Sequence, residues 1–125
     1  MRVTELETKS IQSRVTEFAL EAIELYKTLK WHNELILSKK FLKAATSMGA
    51  YLFELEEDMG IKKCTDGCTH ALEMARETKY WLHLLDKSQF IEYNYEKFNN
   101  GIIEIIHLLE SLDTLENKIY YIIQK

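Results

Sequence analysis

A chain of 125 residues, 46% hydrophobic and 29% charged, is long enough for one globular domain around one core. Twenty acidic against sixteen basic side chains give a formal charge of −4, which argues against a general nucleic-acid binder with a broad basic face. Proline is absent and glycine occurs four times, too few for the loops of an all-β or α/β protein, so long helices with few turns are favoured.

The first stretch to read as helix covers residues 7–30. Ile11, Val15, Phe18, Ala22, Leu25 and Leu29 recur at spacings of four and three, with Ala19, Ile23 and Tyr26 widening the apolar face. Trp31 to Asn33 reads as a short connection, with Asn33 in place to cap the next helix. That helix is expected over residues 34–59, stopped by Gly60. Its middle, AATSMGA at 44–50, is small, and Gly49 there would let a neighbouring helix approach closely.

Residues 60–66 read as the next connection, with Thr65 or Asp66 capping a third helix over 66–86. Leu72, Ala75 and Leu82 form one row on it, and Ala71, Met74, Trp81 and Leu85 the next. This is wider than the ~100° stripe of a helix lying on one partner, so burial on two sides is expected, with Trp81, Leu82 and Leu85 in core or oligomer packing. Lys87 to Tyr93 reads as a loop whose Phe90 and Ile91 pack back on the bundle. Asn94 then caps a fourth helix over 94–123, carrying Phe98, Ile102, Ile105, Leu109 and Leu112 on its seam. Four such helices with short connections predict an all-α, antiparallel up-down-up-down four-helix bundle in a single domain spanning 1–125. The wide faces of helices three and four point to a homo-oligomer.

Chemistry is harder to find. Glu104 and His107 have the Glu-x-x-His spacing of a di-iron bundle, but no second copy of that motif exists. Cys64 and Cys68 lack the second ligand pair of a zinc site and read as small residues at the loop and helix start. No glycine-rich phosphate loop or activated nucleophile is present. We therefore expect no catalytic, metal or cofactor site. No apolar run reaches the ~18 residues of a membrane span. The first residues lack the apolar core of a secretory signal, so a cytoplasmic protein with no membrane partner is expected. Charge is unevenly spread: Lys27, Lys30, Lys39, Lys40 and Lys43 surround the first connection, a candidate nucleic-acid contact. Glu54, Glu56, Glu57 and Asp58 lie at the far end of helix two.

KAATSMGAYLFELEE at 43–57 and ALEMARETKYWLHLL at 71–85 resemble the bacterial four-helix-bundle family first noticed as reading frames within 23S ribosomal RNA intervening sequences. The run ARETKYWL at 75–82 carries most of that resemblance. It implies an antiparallel bundle assembled as a homopentamer. More distantly, it implies kinship with the accessory variability determinant of diversity-generating retroelements, a nucleic-acid-binding pentamer. It also places Glu54 and the Arg76–Glu77 pair at the family's polar positions, so a Glu54–Arg76 contact between helices two and three is expected. The function expected from all this is a non-enzymatic, self-associating bundle acting as an assembly or adaptor module, with self and another protein as partners. The alternative is a nucleic-acid-associated accessory protein.

Overall fold

A computed structural model describes the backbone of residues 2–57 and 61–124 and the side chains of residues 11–53 and 67–112. Four helices make up the fold: α1 (Arg2–Trp31), α2 (Leu37–Glu57), α3 (Ile61–Ser88) and α4 (Glu96–Gln124). Each lies against two others, α1 and α3 both touching α2 and α4, so the helices form a closed square. The first and third connections share one end of the bundle, and the C-terminal end of α2 and the start of α3 lie at the other.

The core is the set of rows read from the periodicity. Ile11, Val15, Phe18, Ala22, Leu25 and Leu29 of α1 are buried, as are Phe98, Ile102, Ile105, Leu109 and Leu112 of α4. In α3, Ala71, Leu72, Ala75, Leu82 and Leu85 are buried, with Met74 and Trp81 packed against them. The double width of α3 is taken up inside the chain by α2 on one side and α4 on the other. Three phenylalanines from three helices lock the centre. Phe18, Phe41 and Phe98 meet edge to face with centroids 5.8 to 6.4 Å apart, the favoured aromatic geometry.

Helix boundaries depart from the sequence reading in informative ways. Asn33 does not cap α2. It terminates α1 in the left-handed region (φ 68°), with its N–H on the Lys30 carbonyl and that of Glu34 reaching back to Leu29. Asn tolerates this conformation better than most side chains, so it can occupy the position glycine usually takes after a helix. The cap of α2 is Glu34. Its carboxylate accepts the N–H groups of Ile36 (3.3 Å), Leu37 (2.9 Å) and Ser38, the orphan donors of a helix start. The Ser38 hydroxyl donates to the Glu34 carbonyl at 2.7 Å, and α2 begins at Leu37 rather than at residue 34.

At the other end, α3 is already helical from Ile61, so the stretch read as a connection over 60–66 is mostly helix. Cys64 and Cys68 both lie on it, and Cys68 is a buried core residue. Gly60 and the side chains of Thr65 and Asp66 lie outside the described residues. Helix α1 likewise starts at Arg2, before residue 7, and α3 runs on to Ser88, beyond residue 86. Gln89 (φ 46°) ends α3, its side-chain amide donating to the Asp86 carbonyl at 2.7 Å. Asn94 does cap α4: its Oδ1 accepts the Glu96 N–H at 3.0 Å. Of the two loop residues expected to pack back, Ile91 does, whereas Phe90 stays 55% exposed.

Candidate interaction surfaces

Among the described residues, no three His, Cys, Asp or Glu side chains come together to hold a metal ion. Glu104 is instead paired with Arg14 of α1. Among the described residues, no helix is long and apolar enough to cross a membrane. Three regions stand out on the surface of the described residues.

The first is the end carrying the α1–α2 connection. Trp31 is 84% exposed and Ile36 71%, with Leu35 beside them. Lys27 and Lys30 of α1 and Lys39, Lys40 and Lys43 of α2, on either side of this connection, are all exposed. Lys27 pairs with Glu24 (3.1 Å), and Lys30 lies 6.0 Å from the Tyr26 ring centroid. Glu34 is adjacent, but its charge is turned inward to cap α2. Burial opposes that charge; hydrogen bonds from Leu37, Ser38 and Ile36 outweigh it and hold the carboxyl below its ordinary range. The acid within the basic turn is thus committed to the fold.

The second region is the α2–α3 seam. Lys40 Nζ sits 5.3 Å over the Trp81 ring, whose indole N–H donates to Glu77 at 3.1 Å; Tyr80 lies alongside, ring centroids 5.1 Å apart. Lower down, Tyr51 stacks on His70 at 5.0 Å. Trp81 is half-buried here, while Leu82 and Leu85 lie in the core. The Arg76 guanidinium pairs with Glu110 of α4 at 3.2 Å. The expected partner Glu54 has its side chain outside the described residues.

The third region is a groove of about 600 Å³ between α1 and α4. Phe18, Gly101 and Ile105 contribute to its apolar lining, and Glu17, Glu21, Glu96 and Glu104 stand against two cations, Arg14 and Lys97. Arg14 is paired with Glu104 and Lys97 with Glu21, which leaves Glu17 and Glu96 without a counter-ion among the described residues. A methyl group at Gly101 would meet the Phe18 ring at 3.4 Å, so the glycine lets α4 settle close to α1. Gly49 also faces α1, but Val15 lies 3.7 Å from where its Cβ would be, an ordinary contact with room for alanine.

Two features could not be read from the sequence. Glu34 carries no cap signal of the Ser, Thr, Asp or Asn kind. Tyr95, placed by the sequence inside the fourth helix but on neither of its apolar rows, is a core side chain 2% exposed just before α4 begins at Glu96. Its hydroxyl has no hydrogen-bond partner among the described residues. Burial, reinforced by the nearby Tyr93, Asp86 and Glu34, pushes its pKa up to about 12.

These features define an all-α protein of the up-down-up-down four-helix bundle class. The chain belongs to the 23S rRNA-intervening sequence protein family, whose model matches residues 7–111. It is similar to a crystal structure from Bacteroides thetaiotaomicron VPI-5482, described as a protein of unknown function from the S23 ribosomal protein family. The two are 34% identical, with 86% of this chain and 98% of that one covered, at a TM-score of 0.80. No curated protein matches the chain.

Proposed function

We propose that this protein is a non-enzymatic, self-associating helical bundle that serves as an oligomeric assembly or adaptor module. The observation that carries this is the set of large apolar side chains left outside a bundle whose core is already filled. Trp31, Ile36, Phe53 and Leu20 are each more than 60% exposed although Leu29, Phe41, Leu52 and Ile102 are fully enclosed. Isolated exposed apolar residues are ordinary, but a cluster such as Trp31, Leu35 and Ile36 around one turn is the pattern of a contact surface. The pentamer implied by the family resemblance is the assembly we assign. In this role the protein works in the cytoplasm, holding copies of itself and a second protein together. The test is the mass of the protein in solution, followed by Ile36→Glu and Phe53→Glu. A multiple of the chain mass that falls in either variant supports the proposal; a monomer at all concentrations removes it.

One observation favours a second reading, a nucleic-acid-associated accessory role. Five exposed lysines of α1 and α2 flank the connection at whose start Trp31 is exposed, and cations combined with aromatic faces suit phosphates and unstacked bases. That role requires steeply salt-dependent RNA or DNA binding that weakens in Lys39→Glu and Lys43→Glu. Absence of binding at low salt would eliminate it.

A further inference from the structure

Helix α2 turns a second seam to the outside. Lys39, Lys43, Thr46, Ala50 and Phe53 follow the four–three spacing of a coiled-coil interface, and all five are exposed. No helix of the same chain covers this row, since α2 packs against α1 and α3 through its opposite side. Its middle is small: the Thr46 hydroxyl is turned back to the Leu42 carbonyl at 2.8 Å, leaving a methyl group and Ala50 outward. A helix can approach such a row closely. Its upper end is basic, and neither Lys39 nor Lys43 forms an ion pair with a described residue.

The α1–α4 groove is the complement of this row. It is a channel between two helices, with apolar residues in its lining and carboxylates outnumbering cations by four to two. Helix α2 does not touch α4, so a chain does not fill its own groove with its own row. The heights of the two surfaces agree as well. Gly49 lies opposite Val15, and the Gln12 side chain bonds the Leu52 carbonyl, which fixes α2 against α1. Six residues from Gly49 to Lys43, against six from Val15 to Glu21, bring Lys43 level with Glu21. Glu21 is paired with Lys97 of α4, and Glu17 lies one turn below it, Glu96 at the start of α4 above. Copies related by rotation about an axis parallel to the bundle stand at equal heights. Lys39 and Lys43 of one would then arrive beside Glu17, Glu21 and Glu96 of the next without an axial shift.

We infer that the outer row of α2 in one copy of this chain docks into the α1–α4 groove of the next, a head-to-tail contact of the kind that closes into rings. The inference rests on the self-association proposed above and assigns its two surfaces. Like charges at this end oppose a parallel two-fold contact of row on row, because Lys39 and Lys43 would then face their own copies. A groove of acidic residues facing the row meets no such conflict.

The test is a charge exchange followed by light scattering at low salt, with circular dichroism to establish folding. Lys39→Glu/Lys43→Glu and Glu17→Lys/Glu96→Lys should each drop the mass to the 14.8 kDa of one chain. The quadruple variant, with both surfaces reversed, should regain the wild-type mass, and the two double variants mixed should associate with each other. Should a reversed pair fail to fold, Lys39→Gln/Lys43→Gln and Glu17→Gln/Glu96→Gln replace it, each again expected to dissociate. Wild-type mass in both double variants, or a quadruple variant that stays monomeric, would overturn the assignment while leaving self-association standing. A monomeric wild type would overturn both, and RNA bound by that monomer through Lys39 and Lys43 would give the lysines to the second reading.

Discussion

The α2–α3 and α1–α4 seams belong to one square bundle but are closed in different ways. Between α2 and α3, Lys40 lies over Trp81, Tyr51 stacks on His70, and Leu82 and Leu85 fill the space beneath. Contact there is dense, and the polar groups named find partners across the seam or on their own helix. Between α1 and α4 contact is sparser, and two ion pairs at the rim bridge an open groove. Exposed ion pairs hold a seam weakly, typically at 0 to ~1 kcal/mol each, because water screens them and long side chains lose freedom. The first seam is therefore structural. The second leaves an open groove with exposed charge available to a partner, and variants should separate the two roles.

The largest effect is expected where the closed seam meets the core. Leu82→Ala removes a fully enclosed side chain and should cost about 2–5 kcal/mol in denaturant unfolding, because the cavity cannot collapse completely. Next is Glu34→Ala, which strips three N–H groups of their acceptor and should cost about 1–2 kcal/mol. Here pH gives a second readout. Glu34 has a folded pKa below its unfolded value, so its contribution is present in full above the unfolded carboxyl range of about 4.3. It is lost as pH falls through the depressed folded pKa, and wild type and Glu34→Ala should converge in stability under acid.

Smaller changes should mark the space around α1. Gly49→Ala should stabilise by about 0.5–1 kcal/mol, since the new methyl makes an ordinary contact with Val15 and the helix loses a flexible residue. A destabilised variant would mean that α1 and α2 approach more tightly at this point. The smallest effect is expected in the open seam itself. Arg14→Ala removes a half-exposed ion pair, so thermal unfolding should move by no more than about 1 kcal/mol. A loss as large as that of Leu82→Ala would erase the distinction between the seams.

Much of the closed architecture was legible in the sequence because periodicity carries it. The rows through Phe18, Ala75, Leu82 and Ile105 are core rows, and an absence of proline with few glycines suits long helices. Caps were less legible, because Asn33 and Glu34 are neighbouring polar residues and only the path of the chain decides which one ends α1 and which one starts α2. Phe90 and Ile91 show the same limit: two consecutive apolar residues in a loop have no period to say which turns inward. The groove was invisible for a different reason. Periodicity places Glu17 and Glu21 on a face of α1, but their meeting with Lys97 and Gly101 depends on pairing between helices at opposite ends of the chain. The lysines could be named together because they are close in sequence, whereas the inward turn of Glu34's charge depends on the path of the chain.

The measurement that bears most directly on the account is the solution mass of the purified wild-type protein by light scattering, across a range of concentrations and at low salt. The account predicts a defined multiple of 14.8 kDa, five copies where the family resemblance carries over in full. A mass of 14.8 kDa that holds at every concentration would contradict it, and would leave the outer row of α2 and the α1–α4 groove as surfaces for a different molecule.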